Sequence, residues 1–262
     1  MIRNIVMIGS GNVATQLGIA LVKKGFNIRQ VYSKTLANAE VLAQRLNAYS
    51  TCEFSEVQTN ADLYIVAVSD AILSSVIEQM PNVNGIVVHT AGSMTMDMLI
   101  KFSSYGIFYP FQTFTKEREV DFGGVPILLE ANKQEVYAEL QNFAKLVSPI
   151  VMGSDSAQRQ QIHLAAVFAC NFTNHMYAIA HEILKKNNIS FDVLKPLILE
   201  TALKTETLFP LKAQTGPAVR GDKNVINKHL DLLNDDDELS LLYSKLSGRI
   251  AELDNQHSSN KN

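Results

Sequence analysis

The residues best suited to chemistry stand close to the start of the chain. Gly9-Ser10-Gly11-Asn12-Val13-Ala14 directly follows the apolar run Asn4–Ile8 and opens a stretch with helical spacing. A first glycine at such a junction permits a tight turn, and a second lets the backbone approach a pyrophosphate. A small third residue, here Ala14, allows close helix packing. Phosphates then rest on free N–H groups at the positive end of the helix dipole. Gly9, Ser10, Gly11, Asn12 and Val13 are therefore candidates to hold a dinucleotide. The competing reading is a glycine-rich turn that binds nothing, since this motif is a weak signal outside a strand–turn–helix context.

The second strand should decide which dinucleotide is held. NAD is usually bound with an acidic residue about 20 positions past the glycines, accepting from the ribose hydroxyl. Here that region reads Val31-Tyr32-Ser33-Lys34-Thr35, with hydroxyls and an ammonium and no carboxylate. Ser33 and Lys34 thus suit a ribose 2′-phosphate, which favours NADP(H). The alternative is a merely solvated Lys34. Val68-Ser69-Asp70 and Thr90-Ala91-Gly92-Ser93 follow two later apolar runs, where ligands of doubly wound sheets bind. Val68, Ser69, Asp70, Thr90 and Ala91 are expected at the ribose and nicotinamide end, although small residues after strands also make ordinary turns.

Hydride transfer to C=O or C=N needs a proton donor and groups that orient the acceptor. A long stripe from Asp155 to Leu184 places His163, Cys170, Asn174 and His181 near one line of a helical wheel, with Asn171 about a quarter-turn away. His163 is the expected proton donor, because imidazole titrates near neutrality. Asn171 is expected to orient the substrate and Asn174 to contact it. The alternative for His163 is a core or interface histidine bonded to a backbone carbonyl. Thr215-Gly216-Pro217-Ala218-Val219-Arg220-Gly221-Asp222 reads as a loop. Arg220 could clamp a substrate carboxylate bidentately, with Thr215 and Asp222 shaping the turn. The alternative is an Arg220–Asp222 pair that only fixes the loop. No metal site is expected: no histidine pair stands at i, i+4 with a carboxylate partner, and His175 and His181 are six residues apart.

These groups need a frame. Strands are expected at Asn4–Ile8, Ile28–Ser33, Thr51–Phe54, Ala61–Val68, Gly85–His89, Ile107–Phe108, Val125–Leu129 and Ile150–Met152. Helices are expected between them, with apolar residues three and four apart, at 13–21, Ala37–Leu46, Ile72–Met80 and Glu135–Val147. That rhythm predicts an α/β fold, a Rossmann-type doubly wound parallel sheet with helices on both faces. The pattern changes near Gly153. One long helix is expected to Leu184, then helices at Phe191–Leu208, Asn224–Leu233 and Leu239–Leu253. The expected division is a nucleotide-binding domain over 1–153, a smaller all-helical substrate and dimerisation domain over 154–253, and a disordered polar tail over 254–262.

Bulk composition narrows the function further. The 262 residues are 47% hydrophobic and 19% charged, with a formal charge of −3 from 23 basic and 26 acidic side chains. Such a balance suits a globular protein and argues against nucleic acid as a partner. Two distant cysteines, Cys52 and Cys170, provide no CxxC spacing; with no signal-like segment and no apolar run near ~20 residues, they point to the cytoplasm and away from a membrane.

Several segments resemble a known group. The N-terminal motif, Ala61-Asp62-Leu63-Tyr64-Ile65-Val66-Ala67-Val68-Ser69-Asp70 and the long helix resemble the 6-phosphogluconate dehydrogenase-like superfamily, which includes pyrroline-5-carboxylate reductase and deazaflavin-dependent NADP oxidoreductases. Tyr109-Pro110-Phe111-Gln112-Thr113-Phe114, the run from His163 to Asn171 and the run from Thr215 to Asp222 resemble, more closely, a bacterial family of uncharacterised NADP oxidoreductases. The resemblance implies oxidoreduction of a small metabolite, a carboxylate-bearing carbonyl or imine fitting best, with a helical domain often used for homodimers. Deazaflavin-dependent reduction of NADP, or NADP(H) binding without turnover as a sensor or scaffold, are the alternatives. Two departures are visible. Relatives often carry His-Pro where this chain has Tyr109-Pro110, and the superfamily's catalytic lysine on the long helix is missing.

Overall fold

β1 (Asn4–Ile8) sends Ile5 and Met7 into one apolar layer and Val6 and Ile8 into another. All four are fully buried, as in a strand covered on both faces. The computed structural model describes residues 1–259. β2 (Asn27–Tyr32), β3 (Tyr49–Thr51), β4 (Leu63–Val66), β5 (Ile86–His89), β6 (Tyr105–Pro110), β7 (Ile127–Ala131) and β8 (Val151–Gly153) complete one sheet, ordered β3-β2-β1-β4-β5-β6-β7-β8. The linking helices are α1 (Asn12–Lys23), α2 (Leu36–Leu46), α3 (Asp70–Gln79) and α4 (Gln134–Val147). Leu17 and Leu21 of α1, Leu42 of α2, and Leu140 and Phe143 of α4 pack in the layer of Ile5. Leu73, Val76 and Ile77 of α3 pack in the layer of Val6. This is the expected α/β architecture.

One pairing departs from the all-parallel expectation. β7 runs antiparallel to β6, with Phe108 opposite Leu129, and β8 then runs parallel to β7. The connection from 111 to 126 contains only a short 3-10 turn at Phe122–Gly124. Without a crossover helix to carry the chain back along the sheet, the next strand returns in the opposite direction. Phe108 and Phe143, with ring centres 5.3 Å apart, pin α4 beneath this edge.

Asp155 starts α5 (Ser156–Ala166) with a capping box, accepting from the Gln158 N–H while the Gln158 side chain accepts from the Asp155 N–H. The helix continues through a π-helical stretch, Val167–Phe172, into α6 (Thr173–Lys186). The long helix is therefore present but wider in its middle. An i→i+5 turn alters the angular step per residue, so a wheel drawn at 3.6 residues per turn does not carry across it.

Arg159 of α5 is fully buried. Its Nη1 donates to Glu130 Oε2 of β7 at 2.6 Å, and its Nη2 to the Met94 carbonyl at 2.7 Å and Ser156 Oγ at 3.1 Å. That anchoring ties α5 to the sheet. It gives a physical reason why the two compact units of the chain, Met1–His175 and Met176–Asn262, divide within α6 and not at Gly153.

The second unit contains α7 (Lys195–Thr207), preceded by a 3-10 turn at Phe191–Leu194, then α8 (Pro210–Ala213), α9 (Lys223–Asp231) and α10 (Asp237–Ser259). α10 runs through Asp254 to Ser259, so this part of the expected polar tail is helical; residues 260–262 lie outside the described residues. Among the described residues no helix is long and apolar enough to cross a membrane.

Breaking the Arg159–Glu130 pair leaves Glu130, only 18% exposed, without its cation. Arg159→Ala is expected to cost about 3–5 kcal/mol, read as a lower urea midpoint; a midpoint equal to the wild type would show that the pair does not hold the fold.

Candidate active site

At the end of β1, Gly9 leaves the sheet with φ of +117°. A β-carbon there would lie 2.3 Å from the Ala67 carbonyl oxygen, so glycine is what lets the ends of β1 and β4 come this close. The Gly9 N–H donates to the Tyr32 carbonyl at 2.8 Å. Gly11 then serves as N-cap of α1, without a side-chain cap, and a β-carbon on it would meet nothing within 4 Å. The positive end of α1 thus opens onto free space and can take an anion.

Between β1 and β4 the winding of the sheet reverses, and a cleft of about 690 Å³ opens there. The structure brings the residues expected at a nucleotide together on its walls. Gly9, Ser10, Gly11, Asn12 and Val13 come from the first turn, and Ser33 and Lys34 from the end of β2. Val68, Ser69 and Asp70 come from the end of β4, and Thr90 and Ala91 from the end of β5. Ser10 Oγ donates to Ser33 Oγ at 2.9 Å, joining the first two groups. Tyr32 stacks on Phe54 with ring centres 4.0 Å apart, giving the cleft an aromatic wall beside Lys34.

The loop after β5 is held by a buried histidine. The Ala91 N–H donates to His89 Nδ1 at 3.2 Å, so Nε2 carries the proton and donates to the Thr95 carbonyl at 3.1 Å. Burial pushes the His89 pKa down to about 4 against the pull of the Thr95 bond, and the positive charge of Arg159 adds to the shift. The imidazole is therefore neutral at physiological pH. Ser93 Oγ donates to Asp70 Oδ2, and the Gln160 amide of α5 donates to the Ser93 carbonyl at 3.0 Å.

Next in this loop, Gly92 makes room for two rings. A β-carbon on it would stand 2.7 Å from Tyr109 Cζ and 2.8 Å from His163 Nδ1. The Tyr109 hydroxyl and His163 Nδ1 are hydrogen-bonded at 3.0 Å, and both side chains line the cleft. Burial raises the Tyr109 pKa to about 12, with the Asp70 charge acting in the same direction and Arg159 opposing it. The phenol accordingly keeps its proton at neutral pH.

Other expected site residues fall elsewhere. Asn171 is exposed in the π-helical stretch and does not line this cleft. Asn174 lines a second cleft of about 470 Å³ with residues of the segment from 112 to 121. Regular helical spacing does not carry across the π turn, so the wheel that set Asn174 in line with His163 and Asn171 a quarter-turn away does not apply across it. Thr215, Arg220 and Asp222 belong to the second unit, in a loop with positive φ at Gly216 and Gly221. Asp222 accepts from the Val225 N–H at 3.1 Å and caps α9, while Arg220 is exposed. Sequence reasoning gave Phe54, Gln112 and Tyr109 no role at the site, although all three line the cleft. Phe54 had a usable signal in its position just past the third strand. Among the described residues no group of three or more His, Cys, Asp or Glu could hold a metal ion.

Residues 3–110 match a Rossmann-like domain, and residues 125–250 match a domain of unknown function (DUF2520). The crystal structure of a "putative NADP oxidoreductase" from Bacteroides fragilis is similar at 49% identity. The match covers 96% of this chain and 98% of that one, with a TM-score of 0.91. The chain belongs to the same family. The resemblance carried by Tyr109–Phe114, His163–Asn171 and Thr215–Asp222 is thereby borne out. More distantly, the fold is shared with a reductive aminase from Aspergillus terreus in complex with NADPH and ethyl-5-oxohexanoate. That match has 14% identity, covers 96% and 94% of the chains, and has a TM-score of 0.71. A pyrroline-5-carboxylate reductase from Coxiella burnetii matches at 16% identity over 98% of both chains, with a TM-score of 0.58. No curated protein matches the chain.

The buried His89 makes acid stability predictable. Its folded pKa lies below the ordinary 6.5, so below that value the unfolded chain takes up a proton that the folded protein refuses. Its contribution to stability is complete above about pH 6.5 and is lost as pH falls towards 4. Urea unfolding should show a loss of about 2 kcal/mol between about pH 7 and pH 5 that shrinks in His89→Asn; an unchanged pH slope in that variant would assign the acid sensitivity to other groups.

Proposed function

We propose that this protein is an NADP(H)-dependent oxidoreductase that transfers hydride between the nicotinamide and a small carbonyl or imine compound. The observation that carries the reading is one cleft shared by an uncapped helix N-terminus behind the Gly9 turn, the carboxylate-free pair Ser33 and Lys34, and the imidazole of His163. The first can hold a pyrophosphate, the second a ribose 2′-phosphate, and the third can supply a proton. Support also comes from the family relative described as an NADP oxidoreductase.

In this reading Val68, Ser69, Asp70, Thr90 and Ala91 line the ribose and nicotinamide end. When bound, the dinucleotide supplies or accepts the hydride; the chain orients it and manages the proton. Asn171 and Asn174 stay as proposed contacts to the acceptor. Thr215, Arg220 and Asp222 are proposed as contacts for a carboxylate on it, Arg220 being the cation suited to clamp one. A homodimer through the helical unit completes the proposal, since α7 exposes Leu197, Leu199 and Leu203 in the single chain. Light scattering should return about twice the 29.0 kDa chain mass; a monomeric mass at micromolar concentration would remove the dimer.

The cofactor reading is tested by titrating the protein with NADPH and with NADH and following nicotinamide fluorescence. NADPH should bind at least about tenfold tighter, as one charge-assisted phosphate contact would provide, and Lys34→Ala should close most of that gap. No binding of either nucleotide at millimolar concentration would overturn the assignment.

A further inference from the structure

The proton donor of the proposed reaction need not be the imidazole itself, because His163 reaches the cleft joined to a second acid. We propose that Tyr109 is the group that hands the proton to the substrate, with His163 behind it as the source of that proton. This inference rests on the reductase reading and deepens it.

Three observations place the pair at the right point. Tyr109 stands near the carboxyl end of β6, beside the loop that follows β5 and carries Thr90 and Ala91 into the cleft. Gly92 puts no side chain between that loop and the two rings, and any β-carbon there would collide with both. The hydroxyl and Nδ1 are 3.0 Å apart, while the Tyr109 ring is flanked by Phe111 and His163 with ring centres 5.9 Å and 6.2 Å away. The phenol therefore has a defined direction and a defined partner.

The hydrogen bond behaves differently in the two protonation states of His163. When the ring is neutral with Nδ1 as acceptor, the Tyr109 hydroxyl donates to Nδ1 and its hydrogen is committed there. When the ring is charged, Nδ1–H donates to the phenol oxygen, and the hydroxyl hydrogen is free to turn to another acceptor. Protonation of His163 thus releases the Tyr109 O–H for use.

The chemical step then balances. NADPH, named here as reductant by its class, supplies a hydride that forms a C–H bond at the C=O or C=N carbon. The π pair of that bond moves onto the oxygen or nitrogen, which takes the hydroxyl proton of Tyr109. The O–H pair remains on the phenol oxygen, which takes the Nδ1 proton of the imidazolium. His163 is left neutral and is recharged from solvent. One hydride and one proton enter the product, and NADP⁺ leaves. Besides His163, the groups acting on Tyr109 are Asp70 at the start of α3 and Arg159 of α5, whose opposite charges pull its acidity in opposite directions. Neutral His89 at the end of β5 carries no charge into this site near pH 7.

The test uses the full chain and Tyr109→Phe, which removes the hydroxyl alone, with His163→Gln as the second variant. NADPH oxidation is followed with a panel of 2-oxo acids, with and without ammonium chloride. Tyr109→Phe should lower kcat at least about 100-fold, the usual worth of a general acid, and leave the Kd for NADPH within about threefold. Wild-type kcat should fall as pH rises, and that limb should vanish in His163→Gln. A readout without turnover is the ¹⁵N ring spectrum of the histidines. The His163 Nδ1 signal should carry the shift of a hydrogen-bonded acceptor at high pH in the wild type and lose it in Tyr109→Phe. Tyr109→Phe at wild-type kcat, or an Nδ1 signal unmoved by it, would overturn the relay while turnover left the reductase reading intact. Failure of the wild-type protein to bind NADPH would overturn both.

Discussion

The Ala67 carbonyl oxygen occupies the space that a β-carbon would need at Gly9, and much of the cleft follows from that contact. Because the residue has no side chain, β1 and β4 can lie together to their last residues, paired from Ile5–Leu63 to Ile8–Val66. The helix that follows β1 covers one face of the sheet and the helix that follows β4 covers the other. Two neighbouring strands whose chains leave in opposite directions must open a gap between the departing segments. In that gap the N-terminus of α1 stands uncapped, while the ends of β2 and β5 bring hydroxyls, Lys34 and a tightly held loop to its rim. An anion-binding concavity is thus a consequence of sheet order combined with one position where a side chain cannot fit.

The opposite wall depends on a different device. α5 could not hold His163 in place by apolar contact alone, because most of its residues are half-buried or exposed. It is fixed instead by Arg159, one turn before His163, whose guanidinium reaches Glu130 of β7 and the Met94 carbonyl together. A buried ion pair of this kind is weak evidence for net stability, since desolvation offsets much of its attraction. Its geometric value is higher. A planar fork bound to two elements sets the rotation of the helix, and the residue four positions on then meets the Tyr109 hydroxyl. The same guanidinium bonds the loop that His89 organises from the other side through Thr95 and Ala91. Loop and helix share supports, so the two halves of the tyrosine–histidine pair are positioned together.

How much of this was legible in the sequence depended on the range of the interactions. Val6, Met7 and Ile65 announce buried strands by composition, and Gly9, Gly11 and Ala14 announce the turn by local steric demand. Ser33 and Lys34 could be placed because the second strand follows the turn at a nearly fixed spacing. The reversal at β7 was not legible, since it arises from the missing helix between 111 and 126 and not from any property of Ile127–Ala131 themselves. The π-helical stretch Val167–Phe172 was hidden too, because no glycine or proline marks it. A wheel drawn at regular spacing, which set Asn174 in line with His163 and Asn171 a quarter-turn away, therefore does not carry across that stretch. The bond between Tyr109 and His163 joins residues 54 positions apart, and the room for it is made by Gly92, which in sequence looks like an ordinary turn glycine.

Burial explains why the pair is more informative than either member. A phenol whose pKa stands at about 12 is a poor acid by itself, and at neutral pH it can only lend a hydrogen bond. Proton transfer from it becomes easier only if charge created on its oxygen is cancelled as it forms, and in this cleft the group within reach is His163 Nδ1. An imidazole reaching the cleft without the phenol could serve as an acid directly, although Gly92 would still have to stay clear of it, since a β-carbon there would lie 2.8 Å from Nδ1. The clearance at Gly92 is common to both rings, at 2.8 Å from the phenol oxygen and 2.8 Å from Nδ1, so it favours a site built around their contact. A loop fixed by a neutral histidine, a helix fixed by a buried arginine and a glycine beneath two hydrogen-bonded rings together describe a preorganised proton path, which is the part of hydride-transfer chemistry a protein must supply by itself.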